Sequence, residues 1–258
     1  MGEHWYDRSG KPAYQTNGRD TTLRDARKLG LVPSVTTVLS CVAKPALTDW
    51  MVKQGVLAAL TGTRTDGESD DAYIARILAD SRQQAIDAAN EGSRIHDACE
   101  NLVKGRAVRR KYRPHAEAAR AELSRLFPDV NDWVAEKSFG NWLGYGGKCD
   151  LHSPSTGIIA DYKTKDGDFS DGKRLAYDQH WQLAAYQVGL GLTWSNPTSA
   201  QNYPACEFKS GAAIFVSRTH PGKVASHVWS ADEMAEGWRT FECALQLWKC
   251  LKGYDGSW

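Results

Sequence analysis

With 258 residues, 41% of them hydrophobic and 24% charged, the chain is long enough to bury a proper core, either as one large domain or as a domain with an appendage. Its longest apolar runs fall far short of a membrane span, and the opening MGEHWYDRSG holds no apolar signal region, which favours the cytoplasm. A formal net charge of +1 excludes a strongly basic protein, so any nucleic-acid surface has to come from the distribution of charge rather than its sum.

Cys41, Cys99, Cys149, Cys206, Cys243 and Cys250 are scattered, with no C-x-x-C pair, and read as mostly reduced thiols. An iron–sulfur cluster needs four clustered thiolates, and Cys243 with Cys250 supplies at most a pair, so no such cluster is expected.

In chain order, residues 1–40 read as an irregular or β-rich arm ending in VPSVTTVL. Pro45 suits the first turn of a helix that runs through Trp50, Val52 and Leu57 to about Leu60. TGTRTDGESDD is loop-like, and two helical patterns follow, Asp71 to Leu78 and Ser81 to Val103. The second contains NEGSRIHDACE, with Gly92 and His96 four apart; a lone helical histidine is more often structural than a ligand. RAVRRKYR then sets five basic residues (Arg106, Arg109, Arg110, Lys111, Arg113) within eight positions, either solvated surface or a patch that follows phosphates. A third helix is expected from Pro114 to Phe127.

After Pro128 the texture changes. Short β-like runs at 133–139, 147–152 and 157–163 precede a helix at 174–190, then the strands GAAIFVSR and GKVASHVWS and a last helix. In that helix Ser230 and Glu233 form a capping box, and Met234, Trp238, Phe241, Leu245 and Trp248 recur at steps of four and three. The order predicts an α/β (α+β) fold, a mixed central sheet flanked by helices, with a mostly helical N-terminal half. Residues 1–130 would form that half and 131–258 the core, within one integrated domain.

GGKCDLHSPSTGIIADYKTK (146–165) reads as a hairpin whose turn is marked by Pro154 and Gly157. Alternation puts Ile159, Asp161 and Lys163 on one face, and a turn over 154–157 sets Asp150 opposite Asp161. Facing carboxylates repel, at a cost of about 0.2–1 kcal/mol even on a surface. A divalent cation would turn those two acids into ligands, with Lys163 one side chain along to stabilise developing negative charge or orient a water. A solvated strand face is the plainer alternative. Gln182 and Tyr186 lie four apart in HWQLAAYQVG, as a polar rim would, and Glu136 in WVAEKSFGNW stands in the strand before the hairpin.

In order, these pieces are G-x-x-x-H on a helix, an acid in a strand, G-x-x-D, an apolar run into D-Y-K-T-K, and Q-x-x-x-Y on the next helix. The series, over about residues 85–190, resembles the RecB-like branch of the PD-(D/E)XK nuclease superfamily. VPSVTTVLSCVAKPALTDW is similar, more loosely, to the N-terminal part of bacteriophage nucleases of this branch.

The resemblance implies a restriction-endonuclease-like core. It also implies that His96, Asp150 and Asp161, with the backbone carbonyl of Tyr162, bind Mg²⁺ or Mn²⁺ as one or two ions, and that Glu136 is a further acid near the metals. Lys163 would be the catalytic lysine, and Gln182 and Tyr186 would steady it or contact DNA. Cys149 stands where the family name has proline, a common departure. The implied activity is hydrolysis of DNA, from ends rather than at specific sites. The alternatives are a structure- or site-specific endonuclease, a non-catalytic DNA-binding protein on the same fold, or a metal-dependent phosphatase. Arg109, Arg110, Lys111, Arg113 and Lys165 would meet backbone phosphates along a DNA-facing wall, with Trp50 or Tyr112 stacking on bases. Recombination or replication proteins are the implied partners, and the setting is the cytoplasm, the host's if the chain is viral.

Overall fold

The arm that begins the chain is built from short pieces held by side-chain caps. Strands β1 (Trp5–Tyr6), β2 (Gln15–Thr16) and β3 (Arg19–Asp20) lead into helix α1 (Leu23–Leu29), strand β4 (Val32–Pro33) and helix α2 (Val35–Leu39). β1 pairs with β4 and β2 with β3, both antiparallel. The two helices correct the expected irregular or β-rich arm. Thr22 and Asp25 close a capping box on α1, and Gly30 ends it at φ 64°, a left-handed turn that glycine adopts without strain. Ser34 caps α2 and so overrides the strand preference of its β-branched V-T-T-V. In this computed structural model the described residues are 3–43, 45–176, 178–193 and 207–258.

These residues fall into two compact units, Val42–Arg94 and the remainder. The smaller unit holds α3 (Pro45–Thr61) and the first part of α4 (Asp70–Val103). Within it, the Tyr73 hydroxyl donates to the carbonyls of Ala59 and Gly62, and Arg76 binds Glu68 and the Thr63 carbonyl. α4 is one continuous helix where two were expected, because the residues around Ala79 to Ser81 include neither glycine nor proline to break it.

The larger unit contains the end of α4, then α5 (Arg113–Leu126), and a five-stranded sheet of β5 (Val134–Asn141), β6 (Tyr145–His152), β7 (Ile159–Lys165), β8 (Gly211–Ser217) and β9 (Val224–Trp229), in that spatial order. β7 and β8 are parallel and the other neighbours antiparallel. A parallel pair needs a crossover, which carries α6 (Gln179–Gly189). On one face Leu151, Ala160, Tyr162, Ala212, Ile214 and Val216 pack against Ile95 and Cys99 of α4 and Ala116, Ala119 and Leu123 of α5. On the other lie α6 and α7 (Ala231–Lys252): the Tyr145 hydroxyl donates to the Ala185 carbonyl, and its ring meets Phe241. Met234, Trp238, Phe241, Leu245 and Trp248 are all buried, as the spacing requires. This is the expected mixed sheet flanked by helices after a mostly helical N-terminal half.

α6 starts at Gln179, five residues later than expected. Lys165 Nζ donates to the Leu175 carbonyl and Arg174 Nε to that of Ala176, so these residues are held in a loop instead of a first helical turn. Among the described residues no helix is long and apolar enough to cross a membrane.

Candidate active site

The β6–β7 ladder stops where the two acids begin. Ser153 N–H donates to the Ile158 carbonyl, and Leu151 pairs with Ala160 and His152 with Ile159. Bonded pairs alternate in antiparallel strands, so Cys149 and Tyr162 would form the next one, with Asp150 facing Asp161 between. Instead Tyr162 N–H goes to Asp150 Oδ2 at 2.9 Å. An extended residue directs its N–H and C=O to the same side, so the Tyr162 carbonyl points into the same opening. The tyrosine ring is buried in the opposite face. Burial, then the charge of Asp161, raises the Asp150 carboxyl to about 8.

Lys163 and α6 complete the cluster. Lys163 Nζ lies 2.6 Å from the buried Asp161 Oδ2, a close ion pair. Burial disfavours the ammonium, but Asp161 and Asp150 outweigh it and the pKa is raised. Gln182 bridges the pair: Oε1 accepts from Lys163 Nζ at 3.3 Å, and Nε2 donates to Asp161 Oδ1 at 3.4 Å and to Tyr186 Oη at 2.7 Å. That orientation of the amide suits both charges. Burial pushes the Tyr186 phenol far up, so it stays protonated.

His96, at the sheet end of α4, sets Nδ1 3.5 Å from Asp150 Oδ2. Burial is the largest influence on the imidazole and lowers its pKa, which favours the neutral, ligating form. Glu136 falls level with Asp150 across β5–β6, between the pairs Ala135–Leu151 and Lys137–Cys149. Its φ of 62° is left-handed, a conformation that costs a non-glycine residue about 1–3 kcal/mol. Glu136 is ion-paired with Lys148, a partner not anticipated from the sequence. The available signal was the alternation that sets Lys148 on the same face as Asp150, two residues along.

The structure therefore brings together His96, Asp150, Asp161, Lys163, Gln182 and Tyr186, with Glu136 level with them on the neighbouring strand. Among the described residues no three His, Cys, Asp or Glu side chains are arranged to hold a metal ion as they stand, and Asp161 is paired with Lys163. The donor chemistry nevertheless fits a hard divalent cation. Asp161 Oδ2 is buried with the Lys163 ammonium beside it, Asp150 is a carboxyl whose surroundings resist ionisation until a cation joins it, and His96 and the Tyr162 carbonyl add neutral donors.

The basic run lies apart in sequence, at the amino end of α5. Arg109, Arg110, Lys111 and Arg113 are exposed there, and the helix dipole adds positive potential. Tyr112 is a correction: it is only 5% exposed and belongs to the core beside Ala116, so it cannot stack on a base. The side chain of Trp50 lies outside the described residues. Lys165 sits half-buried beneath the 169–176 loop, with its ammonium 5.2 Å from the Phe215 ring centroid. Cys41, Cys99, Cys149, Cys243 and Cys250 are free thiols, and Cys206 lies outside the described residues.

No family model matches this chain, and no curated protein is similar to it at a significant level. Solved structures give distant likenesses. The crystal structure of SSO0001 is 12% identical with a TM-score of 0.28, covering 76% of this chain and 86% of that one. A phage related exonuclease from Haemophilus somnus 129PT is 14% identical with a TM-score of 0.25, covering 76% and 91%. Neither likeness bears on which reaction this chain performs.

Proposed function

We propose that this chain is a metal-dependent deoxyribonuclease of the PD-(D/E)XK type, hydrolysing phosphodiester bonds from DNA ends. One observation carries the reading. Residues from α4, β6, β7 and α6, up to 86 positions apart in the chain, meet as a histidine, one buried and one part-buried carboxylate, a lysine and the glutamine that bridges the lysine to the buried acid. A structural ion pair needs only one acid and one base; a second, largely shielded acid at the same spot is costly unless something positive joins it. The choice of DNA, and of ends, follows from the RecB-like order of motifs.

Asp150, Asp161, His96 and the Tyr162 carbonyl would hold Mg²⁺ or Mn²⁺, which supplies charge neutralisation at phosphoryl oxygens and a more acidic water. Lys163, kept protonated by its two acidic neighbours, acts as a cation toward developing negative charge and as an orienter of the attacking water. Gln182 fixes where that ammonium can point, and Tyr186 holds Gln182. Arg109, Arg110, Lys111 and Arg113 offer phosphate contacts along the substrate.

The test is to incubate end-labelled linear DNA and covalently closed circular DNA with the protein in Mg²⁺ or Mn²⁺, beside Asp161→Asn. Loss of linear DNA alone, absent in the variant, is the expected outcome. Cleavage of the circle would replace the exonuclease with an endonuclease. No metal-dependent cleavage of either would overturn the nuclease reading.

A further inference from the structure

Beside the cluster, on the same face of the sheet, lies a cavity of about 240 Å³ roofed by the connection between β7 and α6. Its lining includes Phe169, Lys173, Arg174, Phe215 and His227. Phe215 is the ladder partner of Lys163 in the parallel pair and of Ala225 in the antiparallel one. Paired residues share a face, so the cavity floor begins one strand spacing, about 4.8 Å, from the lysine. The odd-numbered row Asp161, Ala213, His227 runs across the same strands one step further back.

The roof is tied down at its root. Ser217 Oγ donates to the Gly167 carbonyl at 2.5 Å, Gly167 N–H donates to Thr219 Oγ1, and Lys165 Nζ holds the Leu175 carbonyl. Between these ties Phe169 adopts φ 64°, an unfavourable conformation for a bulky residue, while its side chain lines the cavity. Among the described residues no acid lines the space, whereas Lys173, Arg174 and His227 do. Lys173 meets Asp171 in a surface pair of two exposed side chains, an interaction that a phosphate can readily exchange.

An aromatic and aliphatic slot with a cationic rim suits a planar, apolar-faced group attached to an anion. The volume is below the roughly 300–1,000 Å³ of common small-molecule sites, which matches a single base rather than a dinucleotide. We infer that this cavity binds the base of a nucleotide neighbouring the scissile phosphate, with Phe169 and Leu175 as the apolar contacts and Arg174 and Lys173 at its phosphate. The inference rests on the nuclease reading for the position of the scissile phosphate, but not for the binding itself.

Binding can be measured without cleavage, by anisotropy of labelled single-stranded oligonucleotides in EDTA, with an abasic tetrahydrofuran residue moved one position at a time. One position is expected to weaken binding about ten-fold, the scale of stacking one base on an aromatic ring. Phe169→Gly, which suits the left-handed backbone, should remove that sensitivity. Lys173→Gln, a second variant whose side chain ties down none of the loop backbone, should weaken all oligonucleotides alike. Equal affinity at every abasic position, or sensitivity that survives in Phe169→Gly, would overturn the assignment. Cleavage of end-labelled DNA in Mg²⁺, run alongside, separates the two claims. A protein that cleaves without base sensitivity keeps the nuclease reading and loses the cavity. One that shows the Phe169-dependent sensitivity yet never cleaves keeps the cavity as a base site and loses the nuclease.

Discussion

Asp150 Oδ2 takes the Tyr162 N–H that the regular ladder would have given to the Cys149 carbonyl. The exchange opens β6 from β7 at the point where Asp150 and Asp161 would otherwise meet face to face. It also leaves Asp150 shielded from solvent beside Asp161, with its carboxyl raised to about 8 by burial and by Asp161.

That raised carboxyl makes stability without added metal depend on pH. A group whose folded-state pKa lies above its unfolded value stabilises fully below the unfolded value, and the contribution is lost as pH rises through the folded one. For Asp150 the window runs from about 4 up to about 8, at up to about 1.4 kcal/mol per pH unit. His96 has the opposite sense: its lowered pKa adds stability as pH climbs toward about 6.5, and nothing above. Between pH 6.5 and 8 the melting temperature in EDTA should therefore fall by several degrees, at about 2–4 °C per kcal/mol. Asp150→Asn should flatten that slope, and Mn²⁺ should oppose it by binding the folded state. Melting curves across that range check both; a slope unchanged in Asp150→Asn means that the burial of this acid is not what sets it.

Lys163 and Asp161 should part company when each is removed. Lys163→Ala strips the ammonium from the buried Asp161 carboxylate and from Asp150 beside it, which leaves an acid without its cation. Its melting temperature in EDTA should drop, and Mg²⁺ or Mn²⁺ should restore more than it adds to the wild type. Asp161→Asn keeps Lys163 beside Asp150, so little stability is lost in EDTA, but the rise with metal should be blunted. Both should lose cleavage. Equal metal-induced shifts in the two variants and the wild type would place the metal away from this pair.

Changing Arg109, Arg110 and Lys111 to alanine should weaken DNA binding and flatten its salt dependence. Each lost phosphate contact lowers the log–log slope by about 0.7 for a single strand. Titrations at several salt concentrations give the slope directly, and an unaltered slope returns the run to ordinary surface.

Much of this was legible from residues alone, for reasons that differ by element. α7 announces itself because its cap and its apolar stripe are both local. That Asp150 and Asp161 come to the same end of the hairpin follows from parity, since the turn over 154–157 fixes the register of the pairs before them. The break in that ladder does not follow, because it depends on one carboxylate reaching a backbone N–H in the neighbouring strand. The late start of α6 is hidden for the same reason: Lys165, ten residues upstream, decides what Leu175 does. Tyr112 stands in a basic run and so reads as exposed, but the turn before α5 aims it into the core. Nothing in V-A-E-K-S foretells a left-handed Glu136 in mid-strand.

Gly147 gives the last prediction, because it links packing to the proposed chemistry through one side chain. A Cβ built there would stand 2.8 Å from Tyr186 Cε1 and 3.0 Å from Phe139 Cζ. Tyr186 cannot simply retreat, since its ring meets Phe139 edge-on and its hydroxyl accepts from Gln182 Nε2. Gly147→Ala should therefore cost about 1–3 kcal/mol, as over-packing of a filled core does. It should also displace the Gln182 that spans Lys163 and Asp161. Tyr186→Phe separates the two effects: it removes the Gln182 acceptor while leaving the packing of the ring. If Gln182 positions the lysine, Tyr186→Phe lowers kcat with KM little changed and with less than about 1.5 kcal/mol of stability lost, the scale of one hydrogen bond. Gly147→Ala lowers both activity and melting temperature. Urea unfolding beside steady-state cleavage checks the pair. Full activity in a destabilised Gly147→Ala would show that Tyr186 and Gln182 serve the core and not the reaction.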